Sequence, residues 1–271
     1  MAIRGQWGIG RQYPCSYLPE QVARMELMLI AALDEPELDA LLAQGYRHFG
    51  HQFFRPFCRH CHACIPIRVP TARFRLRRSG RRALERAAHL SVEVGPPRPS
   101  PEAYALYCRH KERFRDTNPD SEPVDYAGFT ESFFQPFPFA YTLSLRAGER
   151  LVAVSHFDMT HRSLSAVYCY WEPADGACSP GRVAILHQLA LAARHGIPHV
   201  YLGLYVAANV HMAYKAGIFP NEVMLTAGDW VPFVDAAGKD CLAAERLAEG
   251  FHAPGRPALP PCAEPPIDGG R

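Results

Sequence analysis

The sequence predicts a mixed α/β (α+β) protein: a mixed sheet flanked by helices, with a cysteine-rich element near its N-terminus. Three observations predict it. Tyr141–Arg146, Leu151–Asp158 and Ser163–Trp171 are successive apolar, β-rich runs, and Ala147-Gly148-Glu149-Arg150 between the first two is a tight-turn signal. An apolar stretch, Val183–His195, then reads as a helix stopped by Gly196. Far upstream, Cys58, Cys61 and Cys64 stand at C-x-x-C-x-x-C spacing with His60 and His62 between them.

Taken in order, residues 1–20 read as an ordered, irregular arm in which Cys15-Ser16-Tyr17-Leu18-Pro19 stands out. Asp34 and Glu37 have the spacing of a capping box, with Pro36 in the first turn and Leu38, Leu41 and Leu42 as the apolar stripe of a short helix. Tyr46–Phe54 is rich in aromatics and reads as a strand. The cysteines form a loop. Pro66–Pro70 alternates apolar and charged residues, and its prolines predict an edge strand. Ser79–Leu90 is predicted helical, Gly95–Pro101 is the clearest break, and Ser100-Pro101 opens another helix. Ser179 is expected to cap the Val183–His195 helix, with Pro180 at its first position. A strand at His199–Tyr205, a helix at Ala207–Ala216, a strand at Glu222–Thr226 and a helix at Asp240–Glu249 complete the pattern. The expected organisation is an N-terminal domain over 1–95, a second domain over 96–250 and a disordered Pro-rich tail over 251–271.

Composition narrows the chemistry. The net charge is only +2 and no apolar run reaches the roughly 18 residues a bilayer span needs. The N-terminal stretch has no apolar core like that of a signal peptide, so a cytoplasmic protein with no membrane partner is expected. In that compartment nine cysteines argue for metal binding or free thiols over a disulfide framework. Two-residue gaps let thiolates wrap one ion or cluster, with Cys15 the best fourth ligand to Cys58, Cys61 and Cys64. Zinc and an iron–sulfur cluster both suit such a set. Directly after the cysteines come eight arginines: Arg68, Arg73, Arg75, Arg77, Arg78, Arg81, Arg82 and Arg86. Their planar forks suit phosphate oxygens, which points to a polyanion. No base-reading helix accompanies them, so RNA shape or an RNA end is the expected target.

The order from Tyr141 onward resembles the acyltransferase fold that binds acetyl-CoA, with the Ser179–Arg182 loop and its Ser179 and Gly181 at the place that holds a pyrophosphate. The motifs resemble a narrower family. Cys15–Pro19 looks like its N-terminal cysteine box, and Arg55-Pro56 through Cys58, Cys61, Cys64, Pro66, Arg68, Pro70 and Phe74 like its central signature. Arg78-Ser79 with Arg81-Arg82, Leu164–Tyr168, Val200–Gly203 and Met212-x-Tyr214-Lys215 match further blocks. This family is the aminoacyl-tRNA–protein transferases of the N-degron pathway. The resemblance implies two acetyltransferase-like (GNAT-like) halves. It also implies transfer of an aminoacyl group, leucyl or arginyl, from aminoacyl-tRNA to the α-amine of proteins beginning with Asp or Glu. Chain length is closer to the leucyl branch. No cofactor is required for the transfer; a structural zinc or iron–sulfur cluster fits the cysteines. Departures from the pattern are His48-Phe49-Gly50 where the family has Arg-Ser-Gly, Gly80 for Gln, Pro180 for Leu, Leu204-Tyr205-Val206 for Tyr-Trp-Ile, and His211 for Lys.

Within that reading Asp158, Tyr168, His211 and Lys215 are the catalytic candidates. Asp158 and Tyr168 end neighbouring strands, and His156 and His211 are further candidate bases. Lys215 is placed against the tRNA 3′ phosphate or the acceptor carboxylate. Arg68, Arg77, Arg78, Arg81 and Arg82 are candidates for tRNA or acceptor contact. Two other readings compete. A CoA-dependent N-acetyltransferase leaves the arginines and cysteines unused, and acetyl-CoA binding would mark it. A metal-stabilised RNA-binding protein without catalysis leaves the patterned second half unexplained, and tRNA binding without transfer would mark it.

Overall fold

The structure, a computed structural model, describes residues 4–113, 122–134 and 137–253. Strands β1 (Arg4–Ile9), β4 (Met25–Ala32), β5 (Arg47–Phe49) and β6 (Gln52–Pro56) form an antiparallel sheet in the order β1-β4-β6-β5. A small ribbon, β2 (Tyr13–Pro14) with β3 (Val22–Ala23), carries Cys15. The larger sheet has the order β14-β13-β7-β12-β11-β10-β9-β8. Its strands are β7 (Ile65–Pro70), β8 (Ser91–Gly95), β9 (Ala140–Ala147), β10 (Arg150–Met159), β11 (Ser163–Trp171), β12 (His199–Tyr205), β13 (Asn221–Thr226) and β14 (Asp229–Val234). The helices are α1 (Glu35–Ala43), α2 (Arg78–Arg86), α3 (Pro101–Glu112), α4 (Tyr126–Phe133), α5 (Pro180–Arg194), α6 (Val210–Ala213) and α7 (Ala244–Glu249). Among the described residues no helix is long and apolar enough to cross a membrane.

The expected meander is present: β9, β10 and β11 pair antiparallel, α5 follows, and β12 returns parallel to β11. This is the acyltransferase-like order. Strand β10 is buried along nearly its whole length because helices cover both faces. Val152 and Phe157 pack with α5 residues such as Val183 and Leu186, whereas Leu151 and Val154 pack with Leu106 of α3 and Phe129 of α4.

Strand β7 is central, not an edge: it pairs with both β12 and β13. Its prolines are tolerated because pairing to β13 uses only Ile67 and Arg68, leaving Pro66 and Pro70 outside that stretch. The sheet is continuous across the boundary expected at residue 95, since β7 and β8 both belong to it. The tail expected from 251 begins inside the fold, where Phe251 is buried and His252 bridges Thr226; from 254 on it lies outside the described residues.

One local signal came through as read. Glu37 donates its backbone N–H to Asp34 Oδ1 (3.0 Å), and Asp34 donates its own to Glu37 Oε2 (2.8 Å), closing the capping box. The Tyr46–Phe54 stretch is strand-forming, but it folds as the β5–β6 hairpin. The expected irregular arm contains a strand, β1, paired along β4.

On β4, Glu26, Met28 and Ile30 alternate inward. Two of the three are core residues, and Glu26 is an acid at an equivalent position, with none of its side chain exposed. Its carboxylate receives Arg55 Nε at 2.6 Å and Trp7 Nε1 at 2.5 Å. Arg55, equally buried, also donates to the Gln44 carbonyl (3.2 Å) and lies 4.5 Å over the Tyr46 ring. The first arginine of the cysteine signature is therefore a structural ion that fixes the base of the cysteine loop.

Candidate active site where two strands part

Strands β11 and β12 pair only over Ser163–Ser165 and His199–Tyr201, although β11 continues to Trp171 and β12 to Tyr205. Beyond that point the strands separate and their backbone groups need other partners. Arg47, at the start of β5, fills the gap. Its Nη2 donates to the carbonyls of Ala166 (3.0 Å) and Val167 (2.8 Å) on β11. Its guanidinium lies against Gly203 of β12, where an added Cβ would stand 2.5 Å from Arg47 Cζ. Gly203 has φ +83°, and the β7–β12 register shifts between Tyr201 and Gly203. The glycine of the Tyr201-Leu202-Gly203 motif is thus required twice, for its left-handed backbone and for the space it leaves.

The other motifs close around this gap. Lys215 is buried, and its Nζ donates to the Leu204 carbonyl at 2.6 Å. Burial pushes its pKa well below the ordinary lysine value and the charge of Arg47 adds to this, opposed by Cys64. Asn209 Nδ2 donates to the Tyr17 carbonyl at 3.0 Å, which ties the N-terminal cysteine box to the segment before α6. Tyr17, Leu18, Ala63 and Met212 pack around Cys64, Leu204 and Val206. Tyr214 lies within the field of Arg47 and is partly exposed, so the gap reaches the surface.

Asp158 stands beside this centre. His48 Nε2 lies 2.7 Å from Asp158 Oδ2, and His48 Nδ1 lies 2.9 Å from the Gly50 carbonyl. Both neighbours are acceptors, so both ring nitrogens donate and His48 is a buried imidazolium. Burial opposes the charge, but the field and hydrogen bond of Asp158 outweigh it and raise the His48 pKa.

Asp158 and Tyr168, although on neighbouring strands, are not set opposite one another. The register sets Tyr168 opposite His156 and Asp158 opposite Ser165. Tyr168 belongs to an aromatic cluster, stacked on Phe133 at 5.1 Å with Phe49 and Tyr107 edge-on. His156 stacks on the other side of that cluster (5.0 Å from Phe133), and burial lowers its pKa to about 3. His110 is held in the same way: burial, helped by Arg113, lowers it to about 3, and the Trp171 N–H donates to its Nδ1 at 3.1 Å. His211 is exposed at α6, with its backbone N–H donating to Asn209 Oδ1.

The two neutral histidines imply a pH dependence. Their folded pKa values lie below the unfolded value of about 6.5, so the stability they permit is complete above that pH and is lost as pH falls towards 3. Each withdraws up to about 1.4 kcal/mol per pH unit in that window. Urea unfolding between pH 6 and pH 5 is expected to show a His156→Leu variant losing about 1 kcal/mol less than the parent chain. An equal loss in both would mean that His156 does not stay neutral.

The arginines divide into two groups. Arg68 is spent within the fold, pairing with Glu222 at 2.8 Å and lying 4.4 Å over Trp230. Arg77 lies over Phe219 and donates to the Ala236 carbonyl. Arg78, Arg81 and Arg82 are exposed on α2, with Arg81 also donating to the Leu76 carbonyl at 2.8 Å. Helix α2 meets the loop before α5 and the first turn of α5, where Arg182 donates to Ser79 Oγ at 3.0 Å. In that loop Ser179 has φ +52° and makes no side-chain cap, contrary to the capping role expected from its position. Gly181 faces Trp171, 3.2 Å from where its Cβ would be.

The thiols of Cys15, Cys58, Cys61 and Cys64 all lie within one another's electrostatic reach around Cys64, whose pKa is raised first by burial and then by the other three. Among the described residues, no three His, Cys, Asp or Glu side chains are arranged to hold a metal ion. Cys58 Sγ instead accepts the Arg24 backbone N–H at 3.4 Å.

Two family models match the chain: "Arginine-tRNA-protein transferase, N terminus" over residues 13–82 and "Arginine-tRNA-protein transferase, C terminus" over 102–225. The chain belongs to the arginine-tRNA-protein transferase family. Among curated relatives, the aspartate/glutamate leucyltransferases of Pseudomonas fluorescens (strain SBW25) and Pseudomonas putida (strain W619) are each 36% identical over 214 residues, covering 79% of this chain and 91% of theirs. Among solved structures, FemX is similar over 73% of this chain and 79% of its own at 9% identity, with a TM-score of 0.39. L-PGS from Bacillus licheniformis is similar over 68% and 58% at 14% identity, with a TM-score of 0.38. The protein is accordingly a transferase, and the family's motifs are the ones that meet at the parted strands. Arg47 was missed in the sequence; the only hint was a lone arginine inside the aromatic run Tyr46–Phe54.

Proposed function

We propose that this transferase moves a leucyl group from leucyl-tRNA to the N-terminal α-amine of proteins beginning with Asp or Glu, and so marks them for degradation. The observation that carries this reading is 36% identity to aspartate/glutamate leucyltransferases across 91% of their length. The convergence of Tyr17, Gly203, Tyr214 and Lys215 around Arg47 supports it.

An aminoacyl ester is already activated, so the chain has to position the reactants and stabilise charge. The α-amine nitrogen attacks the ester carbonyl carbon, the bond to the ribose oxygen breaks, and the amine proton passes to that oxygen. Only the neutral amine attacks. With a pKa of about 8, an appreciable fraction is neutral near pH 7, and nearby cations increase it by disfavouring the ammonium form. Arg47 is such a cation, and it equally favours the oxyanion that develops on the ester carbonyl; the buried Lys215 amine stands beside it as a further donor. The exposed arginines of α2 are the surface for tRNA phosphates, where long cationic side chains remain accessible. The four cysteines offer zinc or an iron–sulfur cluster a thiolate donor set of suitable chemistry, which would need to rearrange to close. No step of the transfer is derived through it.

The test is transfer by the purified chain from leucyl-tRNA and arginyl-tRNA, separately, to peptides beginning with Asp, Glu or Ala. Leucyl addition to the Asp and Glu peptides alone is the expected result. Transfer from arginyl-tRNA only, or equal transfer to the Ala peptide, would overturn the reading.

A further inference from the structure

We propose that Arg47, with Lys215 beside it, receives the side-chain carboxylate of the acceptor's N-terminal acidic residue and is what makes the transfer selective for acid. The proposal rests on the reaction proposed above and names the residues that choose its acceptor.

Arg47 is a cation whose own fold does not neutralise it. Among the described residues neither Arg47 nor Lys215 forms an ion pair; both donate only to neutral acceptors, the carbonyls of Ala166, Val167 and Leu204 and the Met212 sulfur. The acid whose field reaches Arg47 is Asp158, and His48 already holds that carboxylate by a direct bond. Arg47 spends only Nη2 on β11. Its Nε and Nη1 have no hydrogen-bond acceptor among the described residues, and the guanidinium packs against Gly203. Arg47 and Lys215 lie within one another's field, and burial disfavours the charge on each. An incoming carboxylate would relieve both costs with charge-assisted hydrogen bonds.

The geometry favours a small carboxylate over a backbone phosphate. The guanidinium is held between two strands by β11 carbonyls on one side and a glycine on the other, with Tyr17 and Tyr214 nearby. A side-chain carboxylate lies only two or three carbons from its own α-amine. A residue that grips it therefore delivers the amine to the same gap, which is where the family's motifs meet. Phosphates have a more accessible partner in the exposed arginines of α2.

The test uses the full chain and dye-labelled peptides beginning with Asp, Asn or Ala. Binding is read by anisotropy without tRNA, and transfer kinetics are read with it. Asp and Asn are nearly isosteric, so their ratio isolates the charge. The parent chain is expected to bind the Asp peptide about 10- to 100-fold more tightly than the Asn peptide. Arg47→Gln brings that ratio close to one and leaves the KM for aminoacyl-tRNA unchanged. Lys215→Gln lowers the ratio by a smaller factor, and it decides the matter if Arg47→Gln fails to fold. A parent chain that does not distinguish Asp from Asn overturns the proposal, as does an unchanged ratio in the variants. A loss that falls on the aminoacyl-tRNA KM assigns Arg47 to RNA instead and overturns it too. Arg47-dependent Asp binding without transfer from either tRNA would leave this inference standing and sink the reaction.

Discussion

Replacing Arg55 with methionine lowers the free energy of unfolding by about 3–5 kcal/mol. The side chains of Arg55 and Glu26 are both fully buried, with 2.6 Å between Arg55 Nε and Glu26 Oε2. Removing the guanidinium leaves a carboxylate in the core without its cation, held by the Trp7 indole. The cost is set by the stranded charge, more than by the worth of the pair itself. A double variant, Arg55→Met with Glu26→Leu, is therefore expected to recover most of the loss, because it removes both ions and restores the apolar alternation of β4. Urea unfolding at pH 7 measures all three chains. A loss below about 1 kcal/mol in the single variant would show that water reaches Glu26.

Gly203→Ala is expected to cost about 2–4 kcal/mol and to reduce transfer at least about a hundredfold. The substitution strains a backbone at φ +83° and drives a Cβ to within 2.5 Å of the Arg47 guanidinium. Arg47 cannot move aside without surrendering its bonds to Ala166 and Val167. Gly196 provides the control. It has φ +67° but nothing within 4 Å of an added Cβ, so Gly196→Ala is expected to cost only about 1 kcal/mol and to keep its activity. If both alanines behaved alike, backbone strain alone would explain Gly203, and the gap would not need Arg47 where it lies.

The sequence made the meander and α5 readable because burial on one or both faces leaves an apolar pattern, and Gly148 and Gly196 punctuate it. It also exposed the capping box at Asp34, since that interaction spans only three residues. What escaped was long-range. Strand β7 looked like an edge because prolines are scored one strand at a time, whereas their cost depends on which neighbour pairs where. Strand β14 and the β1–β4 ladder are short or carry exposed apolar residues such as Leu29, so their periodicity is blunted. Of the candidate site, Lys215 and Asp158 were found. Their partners Arg47 and His48 were not, because those contacts join β5 to strands more than a hundred positions away. Of the candidate arginines, Arg78, Arg81 and Arg82 are exposed on α2, whereas Arg68 is half of an ion pair with Glu222 that only the β7–β13 register creates.

The central claim is that acceptor and donor meet where β11 and β12 part. The most direct measurement is photo-crosslinking with an Asp-initiated peptide carrying a photoreactive residue at its second position, mapped by mass spectrometry on the intact chain. The account predicts attachment within Cys15–Leu18 or Met212–Lys215, suppressed by excess unlabelled Asp peptide and absent in Gly203→Ala. Attachment along α2, or in the cavity lined by Cys58, Cys61, His62 and His252, would place the acceptor elsewhere and contradict it.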